Sequence, residues 1–247
     1  MIALGIDTSG ILGGVALARE GRLLAETRSD ARAAASERIL PQIDRLLADL
    51  GLARRAIERV GVVLGPGSFT GVRVGLATAK GLALGLEVPV VGFSTIAART
   101  FALGAAGRAV MVLTAYRRGE VFCGAGYHAP EGFQWLLGAA SRPVGETAAW
   151  LKAALQAARR EGKLPLLCAG DGVAGVLEQA VAAVTADPDA VWLPGALLGA
   201  VPGAAALLAA QAPAAELVEG AAIDALEPAY LRGADTRRPG GQREGGG

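Results

Sequence analysis

The chain is poor in the residues that most often do chemistry. Its 247 residues include one histidine, His128, two cysteines, Cys123 and Cys168, three lysines, Lys80, Lys152 and Lys163, and no asparagine. One histidine excludes a two-histidine metal site within the chain, and any Ser-His or Cys-His catalytic set would have to use that residue. His128 stands shortly before Pro130 and reads as an exposed turn residue. Two cysteines make no disulfide framework; both read as core filler, which fits a reducing, cytoplasmic compartment. A formal net charge of +1 argues against a surface that steers nucleic acid. The start of the chain lacks a basic stretch and Asp7 interrupts its first apolar run, so no signal peptide is expected. The longest uncharged run, Ala190 to Ala215, is broken by Pro194, Pro202 and Pro213. It reads as a buried Ala-rich helix over 203–211 and not as a membrane span. The scarcity of lysine fits thermal adaptation or a genomic bias equally well.

What is present is a large apolar fraction, 52%, and one dominant stretch, Leu64-Gly65-Pro66-Gly67-Ser68-Phe69-Thr70-Gly71-Val72-Arg73-Val74-Gly75 and onward to Ala83. A short apolar strand over 60–64 runs into a turn in which the glycines allow positive φ and Pro66 fixes one bend. Ser68 or Thr70 can cap the helix that follows. That helix has a small residue at every fourth position: Gly71, Gly75, Ala79 and Ala83. Interior glycine costs about 1 kcal/mol against alanine. Repeating it makes sense where another helix backbone comes very close along the stripe. Arg73 and Lys80, seven apart, would mark a wet or partner-facing edge. The stretch is not a known phosphate cradle. Thr70 stands where the dinucleotide fingerprint has its third glycine, Lys80 precedes Gly81 instead of following it, and Ser68 lacks the flanking glycines of a nucleophile elbow.

In chain order, three strands (2–6, 14–19, 22–27) precede an amphipathic helix over 36–50, capped by Ser36 and ended by Gly51, with Pro41 near its first turn. A short helical turn over 54–57, strand 60–64, the central helix, strand 88–91 and helix 94–103 complete a β-β-β-α-β-α-β-α unit. The same order recurs: strands 109–113, 121–127 and 133–139, helix 146–161, strand 164–169 with a Gly170-Asp171-Gly172 turn, helix 173–184, strand 191–193 and the Ala-rich helix. Two such units argue for an internal duplication. The expected division is a first lobe over 1–106, a second over 107–232, and a disordered Gly- and Arg-rich tail over 233–247.

These residues carry a resemblance. Two repeats of this topology with Asp7-Thr8-Ser9 at the end of the first strand resemble the actin/Hsp70/sugar-kinase superfamily, a duplicated α/β fold of ribonuclease H-like lobes, each a mixed sheet with flanking helices. The stretch from Gly65 to Gly75 resembles the signature of the TsaB (YeaZ) family. Ser36-Glu37-Arg38-Ile39-Leu40-Pro41, Gly119-Glu120-Val121-Phe122 and Pro228-Ala229-Tyr230-Leu231-Arg232 add to it. The chain departs from the family's pattern at Ala35 and at Thr114-Ala115-Tyr116. The second departure puts in doubt a polar contact that relatives make between the lobes.

The resemblance implies a non-catalytic, cytoplasmic subunit that binds TsaD and supports threonylcarbamoyl transfer to adenosine 37 of tRNA. It implies further contacts with TsaE, contact with tRNA through the complex, and a homodimer in isolation. The contact in the family is a helix bundle, which here would use Glu37, Leu40, Ile43, Leu47, Gly71, Arg73, Gly75, Leu76, Ala79 and Lys80. Gly75→Leu is then expected to break assembly and leave the fold intact. Asp7, Thr8, Ser9 and Asp171 would be a degenerate nucleotide site, with Asp7 capping its local turn. No metal and no cofactor of its own is expected; ATP and metal would belong to the partner subunits. The alternative is a small-molecule ATP-dependent kinase of the same superfamily.

Overall fold

The structure is a computed structural model. It describes residues 1–30, 35–103, 107–117, 119–171, 187–193 and 201–229, with the backbone alone for 35, 36, 115–117 and 171. The expected helix over 173–184, the tail over 233–247 and most of the 228–232 motif lie outside these residues, as does the side chain of Ser36.

Among the described residues, ten strands form two five-stranded sheets. In the first, β1 (Ile2–Asp7) is central, flanked by β2 (Leu12–Arg19) and then β3 (Arg22–Asp30) on one side and by β4 (Arg59–Val63) and then β5 (Val90–Phe93) on the other. The β1–β2 and β2–β3 pairs are antiparallel, and the β1–β4 and β4–β5 pairs are parallel. The second sheet repeats the plan with β6 (Val110–Arg117) central, β7 (Glu120–Ala129) and β8 (Gly132–Pro143) on one side, and β9 (Leu166–Asp171) and β10 (Ala190–Leu193) on the other. The expected duplication is thus present in strand order and direction alike.

Local chemistry explains the elements. All six residues of β1 are buried, which is why it reads as a continuous apolar run, whereas the edge strand β3 carries Arg22, Glu26, Arg28 and Asp30. The β2–β3 turn places Glu20 and Gly21 at φ 52° and 74°, the two left-handed residues of a tight hairpin. Helix α1 (Ala35–Asp49) buries Ile39, Ile43, Leu46 and Leu47, and Gly51 at φ 65° follows its end. Ser36, expected to cap this helix, lies within it, and Pro41 stands in its second turn. Helix α2 (Phe69–Leu86) starts at Ser68, whose hydroxyl accepts from the Gly71 amide. Helix α3 is Thr95–Ala102, α4 is Thr147–Arg160 and α5 is Pro202–Gln211.

α1 and α2 cover one face of the first sheet. The other face is covered by α5, a helix from the second half of the chain. Its Pro202 and Ala205 carbonyls occupy the space where a Cβ at Gly5 or Gly61 would stand, so β1 and β4 need glycine there. Reciprocally, α3 from the first half packs on the second sheet, where Ile96 joins Val110, Val112 and Leu167. The far face of that sheet holds α4. The segment after α5 stays with the first sheet: Val218 bridges Val90, Ile223 enters the core beside α2, and the Ala229 amide donates to the Leu64 carbonyl. The boundary expected at 106/107 is therefore corrected. Residues 201–229 pack with the first lobe, because the apolar face of its sheet is unfilled without them. Among the described residues no helix is long and apolar enough to cross a membrane.

Candidate functional site

The end of β1 meets the central turn. Asp7 is fully buried, and both of its oxygens are engaged. Oδ1 accepts from the Ser9 amide at 2.8 Å and the Ser9 hydroxyl at 2.7 Å; Oδ2 accepts from the Val201 amide at 2.7 Å. Asp7 does cap its local turn, and it also holds the residue that precedes α5. The Thr8 hydroxyl donates to the Gly71 carbonyl at 2.6 Å, and the Ser68 amide donates to the Ser9 carbonyl at 2.7 Å. Gly65 sits at φ 101°, a backbone conformation open to glycine. The Asp7 carboxylate is thus closed off from solvent and hydrogen-bonded through both oxygens to the chain itself. Asp171 ends β9, paired with Thr114 of β6; its side chain lies outside the described residues. Among the described residues no three His, Cys, Asp or Glu side chains gather as metal ligands would.

The small-residue stripe of α2 faces inward. A Cβ at Gly71 would run into the Thr8 carbonyl and one at Gly75 into the Thr8 hydroxyl, while Ala79 and Ala83 are fully buried. The close approach that the glycines permit is therefore made to Thr8, the residue just after β1 of the same chain. Ile43, Leu47 and Leu76 are likewise spent in the core. Of the ten residues expected at a docking face, Glu37, Leu40 and Arg73 are exposed and Lys80 is partly so. Lys80 lies at an exposed edge, where its Nζ donates to the Asp224 carbonyl at 2.8 Å. Phe69, which sequence reasoning passed over, is 57% exposed, with the Arg73 guanidinium 3.6 Å from its ring centre. An aromatic beside the helix cap, four residues before an arginine, was the available signal. Leu40 is exposed as well, on α1, which packs against α2.

His128 is not an exposed turn residue. It lies within β7, its ring between Phe101 and Phe133, with Nε2 2.9 Å from the Ala97 carbonyl. Burial pushes its pKa below the usual value, and the Ala97 carbonyl opposes that more weakly. Cys123 and Cys168 are buried core residues whose thiols burial pushes up to about 12. Between the halves, the fully buried Arg99 of α3 donates from Nη1 to the Thr114 hydroxyl at 3.0 Å.

Residues 29–169, 141 of the 247, match a family model described as TsaD, tRNA N6-adenosine threonylcarbamoyltransferase. The chain is 36% identical over 128 residues to the tRNA threonylcarbamoyladenosine biosynthesis protein TsaB of Bacillus subtilis, covering 50% of this chain and 54% of that protein. It is 40% identical over 126 residues to TsaB of Escherichia coli, covering 49% and 53%. The chain thus spans about half the length of the curated relatives it matches. A crystal structure from Pseudomonas aeruginosa, described as an uncharacterized protein with similarity to peptidase YEAZ, superposes with a TM-score of 0.70 at 25% identity, covering 94% of this chain and 99% of that one. With more than half of its length inside the family model, and with that signature stretch, strand order and these relatives, the chain belongs to the TsaD family, and within it to the TsaB (YeaZ) group.

Proposed function

We infer that this chain is a non-catalytic subunit of tRNA threonylcarbamoyladenosine biosynthesis. It docks a TsaD-type transferase through the outer surfaces of α1 and α2. The observation that carries this reading is the exposure of Phe69 and Leu40 on two helices that touch each other, with Glu37 and Arg73 beside them. Exposed aromatic and arginine side chains at the centre of a patch are what a specific interface uses. The closed surroundings of Asp7 support the same reading, since a phosphotransferase of this fold would need that carboxylate open to its substrate. ATP and metal then belong to the partner subunits, TsaE and tRNA join through the complex, the free chain pairs with itself through the same face, and the setting is the cytoplasm.

The test is co-elution with the TsaD-type enzyme and a tRNA-modification assay with and without this chain. Wild type is expected to co-elute and to be required for modification. Leu40→Asp with Phe69→Asp is expected to abolish both without lowering the melting temperature, because neither side chain is in the core. Failure of the wild type to co-elute, or full modification without it, overturns the reading.

A further inference from the structure

We propose that the chain's own C-terminal segment folds back along α2 and seats Arg237 or Arg238 in a groove between α2 and the segment after α5. The groove holds about 230 Å³. Ala83, Leu84 and Glu87 line it from the end of α2, and Glu219, Gly220 and Ile223 line it from the segment after α5. Each side thus brings one carboxylate, and both glutamates are exposed. Among the described residues neither carboxylate has a hydrogen-bond or ion-pair partner. The last turn of α2 carries no basic residue, so the carbonyl end of that helix adds to the negative field. A cation on an apolar stem fits this groove. Arginine can lay its methylenes on Leu84, 48% exposed, and set its guanidinium between the two carboxylates.

Reach and charge select the occupant. Ala229 stands beside Leu64 and Gly65, at the N-terminal end of α2, and the groove is at the other end. The 18 residues of α2 rise about 27 Å. Arg237 and Arg238 follow Ala229 by eight and nine residues, which span about 26–30 Å when extended. Arg232, three residues out, reaches only about 10 Å. Residues 230–247 carry Arg232, Arg237, Arg238 and Arg243 against Asp235 and Glu244, so their charge complements the two glutamates. The seated arginine pins a lightly held stretch. Over 213–229 only Ile223 is buried. The printed ties are to backbone: Val218 pairs with Val90, Lys80 donates to the Asp224 carbonyl, and the Ala229 amide donates to Leu64. A guanidinium touching Glu87 and Glu219 joins this stretch to α2 through side chains as well. The groove lies at the far end of α2 from Phe69, so the inference stands whether or not the chain docks a transferase.

Zero-length carbodiimide cross-linking of the full-length chain tests it, with Arg237→Lys and Arg238→Lys supplying the amines. Peptide mapping is expected to find Glu87 or Glu219 as the dominant partner of the introduced amines. In an equal mixture of isotope-light and isotope-heavy chains, these links are expected to stay within one copy. Native-state hydrogen exchange at low salt gives a second reading. Arg237→Ala with Arg238→Ala is expected to speed exchange over 217–226 about threefold, and Glu87→Gln with Glu219→Gln to do the same. All four changes together are expected to add nothing to either pair, because both pairs remove one contact. Links that miss both glutamates, links spread evenly over the surface carboxylates, or links between copies overturn the proposal. So do unchanged exchange over 217–226 in either pair and additive effects of the two pairs.

Discussion

At the scale of single residues, burial decides what each chemical group can do. The His128 ring centre lies 5.3 Å from that of Phe101 and 5.2 Å from that of Phe133, and burial there disfavours its charged form. The folded chain therefore binds this proton less readily than the unfolded one, so stability rises with pH. The contribution is complete above the ordinary value of 6.5 and is lost as pH falls from there through the lowered folded value. Melting curves between about pH 7.5 and about pH 5.5 check this. The melting temperature of wild type should fall more than that of His128→Phe across the interval, and equal slopes would remove His128 from the account. Asp7 makes the same point from the polar side. Asp-Thr-Ser at a strand end marked it as important, but only the arrival of α5 shows that its second oxygen is used.

At the scale of elements, hydrophobic spacing located nearly every helix and strand, because a 3.6- or 2-residue period follows from the backbone alone. Spacing left open which object each face meets. The α2 stripe promised a close approach, and Thr8, just past the end of β1, supplies it. Gly75→Ala tests the assignment. Alanine gains about 1 kcal/mol in helix propensity, yet its Cβ would collide with the Thr8 hydroxyl, which the Gly71 carbonyl holds in place. Overpacking of this kind costs about 1–3 kcal/mol. Chemical denaturation should show Gly75→Ala destabilised on balance, while Gly85→Ala on the open side of α2, where no atom lies within 4 Å of a new Cβ, should be stabilised. The expectation that Gly75→Leu spares the fold is corrected by the same contact.

At the scale of the whole molecule, the halves exchange their last helices. α5 fills the face of the first sheet and α3 the face of the second, and the two helices touch around Val63, Ala98, Val201 and Ala205. A lobe cut at residue 106 would expose Ala3, Ala16, Ala18 and Val91, all buried in the intact chain by α5 and the segment after it. The fragment 1–106 is accordingly expected to show no cooperative thermal transition and to aggregate. Cooperative unfolding of that fragment, seen by calorimetry, would return the lobe boundary to where the sequence put it.

The order of strands and helices, the duplication, the family and the buried state of both thiols follow from the sequence alone, since local periodicity and a long motif are written in consecutive residues. The partner of the glycine stripe, the second bond of Asp7, the tie of Lys80 to Asp224, the exposure of Phe69 and the crossing of α3 and α5 were settled by tertiary structure. Each joins groups far apart in the chain, and no local pattern says which of two apolar faces a distant helix will cover.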